Sequence, residues 1–164
     1  MPDCIKVTLD VKIERDYLMR FDMTLAVSSK SVAKTKIAIR KTIVQKREEL
    51  GDIEKDEKSL AIAQRLFGMD GFKKSKTVFC FLSTSLEVQT GRIIRESLRL
   101  GKQVLVPLLD PGEKNLKASR ILSMDIDFVI GECGVRQPAP KFRDIVPFSN
   151  IDFVVVPGLA FDNF

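Results

Sequence analysis

Two basic side chains lie one helical turn apart near the start of segment 32–50. Lys36 and Arg40 are separated by four residues, so on a helix they share one face at a distance of about 6 Å. Two cations held in this way can bind a polyphosphate, and arginine can do so with two hydrogen bonds. A solvated basic face is the more common explanation of such a pair. The residues alone therefore define a candidate phosphate site and no more.

A second candidate is segment 82–90, which leaves the end of an apolar run at 77–82 and enters a predicted helix. In open α/β sheets, ligands bind beyond the carboxyl ends of the strands. Glu87 is expected near that edge, where its carboxylate could accept hydrogen bonds from the N–H groups of a ligand. N-terminal capping of the helix, worth about 1 kcal/mol, explains the residue equally well. Both interpretations stay open.

The third candidate is segment 157–162. Gly158 permits close approach of the backbone, and Asp162 could contact a metal or ligand, although a turn or capping role is simpler. The nucleotide motifs GxxxxGK[ST] and GxGxxG do not occur. The chain also has no histidine, which excludes Ser-His and Cys-His nucleophiles. Chemistry must therefore come from carboxylates, lysine, arginine, tyrosine or backbone groups.

Composition and charge restrict the class of protein. The 164 residues are 45% hydrophobic and 30% charged, as expected of one globular domain. The net charge of +5 resides after residue 30, because residues 1–30 hold five basic and five acidic side chains. Such a charge suits anionic partners. Nucleic acid is not expected, because the single Tyr17 and the scattered phenylalanines do not interleave with the basic stretch.

The sequence predicts a cytoplasmic protein that does not cross a membrane. No apolar run approaches the roughly 20 residues needed to span a bilayer. The first residues show neither a secretory signal nor the acid-poor composition of a transit peptide. Cys4, Cys80 and Cys133 form neither a disulfide framework nor a zinc pattern. Cys80 lies in an apolar run and is interpreted as a small buried hydrophobe.

The elements that must position these residues alternate between helices and buried strands. Helices are predicted at 32–50, 54–67 (ended by Gly68 and Gly71) and 88–100, and buried strands at 77–82, 103–107 and 151–157. Exposed strands are predicted at 117–122 and 128–130, an extended loop at 134–140, and a half-exposed strand within 4–13. This order indicates right-handed crossovers and a mostly parallel sheet. The first helix should bury the side chains of Ala33, Ile37, Ile43 and Val44.

Six ordered segments together resemble the 5-formyltetrahydrofolate cyclo-ligase family, also called methenyltetrahydrofolate synthetase. They are KTKIAIRK at 34–41, FKKSK at 72–76, FLSTSLEVQT at 81–90, GKQVLVP at 101–107, GVRQP at 134–138 and DFVVVPGLAFD at 152–162. Each segment alone is unspecific, whereas their order and spacing are specific. The resemblance covers about residues 30–164. It implies a cyclo-ligase-like domain at 31–164, preceded by an extension at 1–30 of unknown structure.

The resemblance implies a fold, a reaction and site residues. The fold is α/β, a three-layer, mostly parallel sheet flanked by helices of the NagB/CoA-transferase type. The enzyme is a C–N-bond-forming ligase. ATP, with Mg²⁺, phosphorylates the formyl oxygen of 5-formyltetrahydrofolate, the second folate nitrogen closes the ring, and 5,10-methenyltetrahydrofolate, ADP and phosphate result. Lys36 and Arg40 match ATP contacts, and Leu82 and Glu87 match the folate pocket. The substrate may carry a polyglutamate tail in this family, and we expect a monomer.

One family feature is not found in the 164 residues. The glycine-rich GxGxGYYD loop, which wraps phosphates and places an aspartate near magnesium, would follow the PGxxFD strand end. We therefore expect the fold to be incomplete at its C-terminal end, and the catalytic residues stay unassigned. The alternatives are a non-catalytic folate-binding or degenerate homologue, and a fragment that does not fold stably because a strand edge stays unpaired.

The first testable prediction is that this 164-residue chain has little cyclo-ligase turnover. Without the loop, the contacts to the moving phosphoryl group are lost, so the rate should fall by about 10³-fold or more. The measurement is the near-ultraviolet absorbance of the methenyl product, with a complete family member as the control. Comparable turnover of the two proteins would contradict the role assigned to the loop.

Overall fold

A computed structural model describes residues 6–7, 29–109, 115–131 and 134–159 of the chain. The helices are α1 (Ser29–Glu49), α2 (Asp52–Gly68), α3 (Asp70–Lys74) and α4 (Gly91–Arg99), with 3₁₀ turns at Pro140–Phe142 and Phe148–Asn150. The strands are β1 (Lys6–Val7), β2 (Thr77–Cys80), β3 (Gln103–Leu109), β4 (Leu116–Ile121), β5 (Phe128–Ile130), β6 (Arg136–Pro138), β7 (Ile145–Val146) and β8 (Phe153–Val155).

The described strands form one six-stranded sheet in the order β1-β8-β2-β3-β4-β7 and a separate β5-β6 hairpin. The pairs β1-β8, β8-β2 and β2-β3 are parallel, whereas β3-β4 and β4-β7 are antiparallel. Val78 lies in register between Val104 and Phe153. The predicted α/β class with a mostly parallel sheet flanked by helices is confirmed.

The amino ends of the three central strands are aligned by hydrogen bonds around residue 77. One carboxylate oxygen of Asp152 accepts from the backbone N–H groups of Lys76 (2.8 Å) and Thr77 (2.9 Å). The N–H of Asp152 donates to the carbonyl of Thr77 at 3.1 Å, and the N–H of Gln103 donates to that of Lys76 at 2.8 Å. Because parallel strands that start together also end together, the carboxyl ends of β8, β2 and β3 meet at one edge.

Both faces of the central strands are covered. One face packs Val78, Val104 and Phe153 against helical side chains that include Leu66 of α2 and Ile93 of α4. The opposite face carries a smaller cluster of Phe79, Leu105 and Ala118, with Val146, Ile151 and Val154 against it. Burial on both faces explains why these strands are continuous apolar runs instead of alternating patterns.

The prediction for the inner face of α1 is wrong at Ile37, whose side chain is 66% exposed. Ile43 and Val44 are half-buried, while the side chain of Ala33 lies outside the described part. The guanidinium of Arg47 donates to the carbonyl of Gly158 at 2.8 Å. The described contact of the helix with the domain is thus in its C-terminal half, while Ile37 and Ile39 are exposed.

Several other boundaries differ from the prediction because tertiary contacts override local patterns. Helix α4 begins at Gly91 instead of 88, and Gly71 lies inside α3 instead of ending a helix. Strand β4 is partly buried, since it lies between β3 and β7. The predicted loop 134–140 contains strand β6. Of segment 4–13, residues 6–7 are described, and they pair with β8.

None of the described helices is long and apolar enough to cross a lipid bilayer.

The β5-β6 hairpin is attached to the sheet by a buried glutamine. The side-chain oxygen of Gln137 accepts from the N–H of Leu109, at the end of β3, at 2.8 Å. Gly131 lies directly against this amide, and a Cβ atom at residue 131 would stand 2.6 Å from Cδ of Gln137. Only glycine leaves room for the amide at this place.

The second prediction is that Gly131→Ala lowers the free energy of unfolding by about 1–2 kcal/mol. The new methyl group displaces the Gln137 amide, so the N–H of Leu109 loses its acceptor. Urea unfolding measures the change. Gly68→Ala is the matched control, because nothing lies within 4 Å of a Cβ built at residue 68 and alanine favours helix. Equal stability of the two variants would contradict the role given to Gln137.

Candidate functional site

A pocket of about 570 Å³ lies at the carboxyl ends of β2, β3 and β8. This is the edge where ligands bind in open α/β sheets. Its lining is mostly apolar and combines residues of the strand ends, segment 82–87, the β5-β6 hairpin and the Phe148–Asn150 turn. The lining residues are Phe79, Phe81, Leu82, Thr84, Glu87, Pro107, Leu116, Gly134, Val135, Arg136, Phe148, Ile151, Val154, Val155, Val156 and Pro157.

The segment after β2 is closed into a fixed loop by Thr90, whose side chain is 1% exposed. The Thr90 hydroxyl donates to the carbonyl of Phe81 at 2.8 Å and accepts from the N–H of Ser83 at 3.1 Å. In return the N–H of Thr90 donates to the hydroxyl of Ser83 at 3.1 Å. These reciprocal bonds satisfy polar groups at the strand end and explain why α4 begins only at Gly91.

Gln89 forms hydrogen bonds within the same loop and connects the loop to α2. Its side-chain nitrogen donates to the carbonyls of Thr84 (2.8 Å) and Glu87 (2.9 Å). Its backbone N–H donates to the hydroxyl of Ser59 at 3.0 Å, which in turn donates to the carbonyl of Lys55. The backbone around Glu87 is thus held before any ligand arrives, which favours binding by reducing the entropy lost.

The carboxylate of Glu87 faces the pocket and closes its own turn. One oxygen accepts from the N–H (2.8 Å) and the hydroxyl (3.0 Å) of Thr84. Within the described part of the chain, the other oxygen has no hydrogen-bond partner. Helix α4 starts four residues later, at Gly91, so Glu87 does not cap that helix. The carboxylate can accept N–H groups of a ligand while it holds the turn.

Leu82 forms part of the apolar wall beside this carboxylate. Its side chain is 4% exposed and belongs to the main core cluster. Phe81, also buried, belongs to the same cluster and lines the same pocket. The structure therefore brings Leu82 and Glu87, two of the residues selected from the sequence, to one pocket with apolar surface on one side and a hydrogen-bond acceptor on the other.

Lys36 and Arg40 do not line this pocket; both are exposed on α1. Arg40 instead borders a shallow depression made by α1 residues alone. At 3.6 residues per turn, the side chains of Lys36, Arg40 and Arg47 lie within about 40° of each other around the helix. Along the helix axis, Arg40 is about 10 Å from Arg47, and Lys36 is about 16 Å from it. Arg47 contacts Gly158, which follows the pocket residue Pro157. The cationic face therefore runs toward the β8 side of the pocket.

Arg136 lines the pocket and has no role in the sequence-based prediction. It is half-buried, and its guanidinium lies 4.8 Å from the centre of the Phe128 ring on the neighbouring strand. Arg136 has no second cation at helical or strand spacing, so the sequence pattern gave no indication of a ligand-binding site there. Its position depends on the β5-β6 pairing, which the sequence did not predict.

The described residues offer little for metal or thiol chemistry. Among them, no group of three or more His, Cys, Asp or Glu side chains is placed to hold a metal ion. Burial raises the pKa of the Cys80 thiol to about 12, and the hydrogen bond with Thr90 offsets this only in part. The thiol is therefore protonated at neutral pH and unreactive, as expected of a buried hydrophobe. Asp162, the third sequence candidate, lies outside the described residues.

Known proteins are similar to this chain in sequence and in fold. The 5-formyltetrahydrofolate cyclo-ligase family model matches residues 32–164. A Caenorhabditis elegans protein named probable 5-formyltetrahydrofolate cyclo-ligase is 29% identical over 119 residues, covering 68% of this chain and 58% of the relative. The 5-formyltetrahydrofolate cyclo-ligase of Escherichia coli K12 is 28% identical over 126 residues, covering 74% of this chain and 67% of the relative.

The NMR structure of Aquifex aeolicus 5,10-methenyltetrahydrofolate synthetase has the same fold, with a TM-score of 0.65 and 28% identity. The similarity covers 77% of this chain and 62% of that protein. The chain thus spans less than two thirds of the C. elegans and A. aeolicus proteins. Because the family match extends over most of its length and a solved family structure repeats its sheet, this chain belongs to the 5-formyltetrahydrofolate cyclo-ligase family.

Proposed function

We propose that this protein binds 5-formyltetrahydrofolate in the pocket at the strand ends and serves its ATP-dependent conversion to 5,10-methenyltetrahydrofolate. The observation that carries the proposal is the family match over residues 32–164, combined with a preformed pocket that joins Leu82 and Glu87. Relatives named for this activity support it. The proposal includes a monomeric, cytoplasmic protein.

The pocket chemistry suits a reduced folate. Flat, mostly apolar walls can bury the ring system, and a few fixed polar groups set its orientation. The free oxygen of Glu87 is an acceptor for pterin N–H groups, and a charged acceptor forms a stronger hydrogen bond than a neutral one. Leu82 and Phe81 supply apolar contact beside it. Positioning of this kind is what ring closure by a neighbouring nitrogen requires.

The proposal assigns the phosphates of ATP to the cationic face of α1. Lys36 and Arg40 are exposed there and share one face, so both can neutralise phosphate charge. Mg²⁺ accompanies ATP and is held largely by phosphates and water. The described residues provide no carboxylate cluster for it. Charge neutralisation and alignment of the formyl oxygen are the protein's part in phosphoryl transfer.

The third prediction is that Glu87→Gln weakens binding of 5-formyltetrahydrofolate by about tenfold or more, as loss of a charged acceptor should. The glutamine oxygen can still accept from Thr84, so the turn is preserved and the effect reports on the ligand. Titration calorimetry measures the affinity. Glu54→Gln, which changes an exposed carboxylate on α2, is the matched control.

The same titrations separate the proposal from its alternatives. Binding of the folate together with measurable methenyl product supports the enzyme. Folate binding without ATP binding supports a non-catalytic folate-binding protein. A chain that unfolds cooperatively on heating is folded. If such a chain did not bind the folate, the proposal would be wrong.

The fourth prediction concerns α1. Lys36→Ala and Arg40→Ala should each weaken Mg-ATP binding by about tenfold and leave folate affinity unchanged, because neither side chain lines the folate pocket. Lys58→Ala on α2 removes a comparable exposed cation and is the control. Unchanged ATP affinity in both variants would mean that the face is merely solvated; a loss of folate affinity would show that α1 reaches the pocket.

A further inference from the structure

The pocket contains one cation that the proposed function does not use. Arg136 lies on the hairpin side of the pocket, next to Gly134 and Val135, and is half-buried. A half-buried guanidinium needs a compensating partner, since loss of hydration without hydrogen bonds is costly. Among the described residues, no acidic side chain pairs with it.

The guanidinium is held in place without an acidic partner among the described residues. It lies 4.8 Å from the centre of the Phe128 ring, a cation–π distance. Arg136 pairs with Ile130 across the hairpin, and the next residue, Gln137, fastens the hairpin to β3 through Leu109. The side chain therefore presents its donors from a fixed platform. An arginine held in this way can offer its planar fork of donors to a carboxylate or phosphate group of a ligand.

The two charges of the pocket stand on different connections. Among the described residues, Glu87 and Arg136 are the charged ones that line it. Glu87 stands on the loop that leaves β2, whereas Arg136 stands on a hairpin fastened to the end of β3. The other described lining residues are uncharged and largely apolar. The pocket thus suits a ligand with N–H donors at one end, an apolar or aromatic middle, and an anionic group at the other end.

We propose that Arg136 binds the glutamate carboxylate of the folate whose pterin ring contacts Glu87. The assignment rests on the proposed function and extends it to the tail of the substrate. A guanidinium matches a carboxylate with two parallel hydrogen bonds. The phosphates of ATP are a less suitable ligand, because the cationic face of α1 runs toward the β8 end of the sheet edge, on the far side of β2 from the hairpin.

The test uses two ligands that differ only in the glutamate: 5-formyltetrahydrofolate and the N-methylamide of 5-formyltetrahydropteroate, which keeps the benzoyl amide and carries no carboxylate. The wild-type chain should bind the folate about tenfold to a hundredfold more tightly, the usual value of a charged hydrogen-bonded pair. Arg136→Gln should abolish this preference by weakening folate binding alone. Arg136→Lys should restore part of it, since the charge remains and the fork is lost. Titration calorimetry at fixed salt measures all three.

Arg99→Gln, which removes an exposed cation of α4 outside the pocket, is the control and should leave the preference intact. A preference that survives Arg136→Gln would overturn the assignment, and so would equal weakening of both ligands or a selective loss of Mg-ATP affinity. Failure of the wild-type chain to bind either folate ligand would instead overturn the proposed function, so the two failures are distinguishable. Thermal unfolding of each variant shows that the hairpin remains folded.

Discussion

The parallel alignment of β8, β2 and β3 is the constraint on which the site depends. These strands are buried on both faces and start together, because Asp152 accepts from the backbone N–H groups that precede and begin β2. Their carboxyl ends must then coincide. The connection from β2 to β3 has to cross over the sheet, and this crossover consists of loop 83–90 and α4. The segment that carries Glu87 is therefore part of the connection that makes parallel pairing possible.

The crossover loop shows how polar groups at a strand end can be satisfied without secondary structure. Thr90, Ser83 and Gln89 together bond to backbone groups of the loop and of the strand end. Each bond adds only about 0.5–1.5 kcal/mol, yet an unsatisfied buried group would cost more. The network therefore fixes one loop conformation, and the carboxylate of Glu87 is preorganised as a consequence of folding.

The sequence predicts an element well where one local pattern has one structural solution, and the apolar runs that became β2, β3 and β8 admit few alternatives. The rule for strand ends pointed to Glu87, the family resemblance added Leu82, and the roles of both residues stay predictions. The prediction for α1 failed at Ile37, because an amphipathic pattern identifies the inner face of a helix but not how much of its length packs against the domain. Arg136 was missed because β6, three residues long, lies in a segment predicted as a loop; strand 128–130 was predicted and is β5, but its pairing partner was not.

The arrangement of charge at this edge follows the strand order β8-β2-β3. The cationic face of α1 arrives at β8 through Arg47, Glu87 stands on the loop from β2, and Arg136 stands on the hairpin fastened to β3. Under the proposed function, the phosphates would lie on the α1 side of β8, the pterin ring at the loop from β2 and the glutamate tail at the hairpin beside β3. Among the described residues, no ion pair joins Glu87 to Arg136, so both charges remain available to such a ligand.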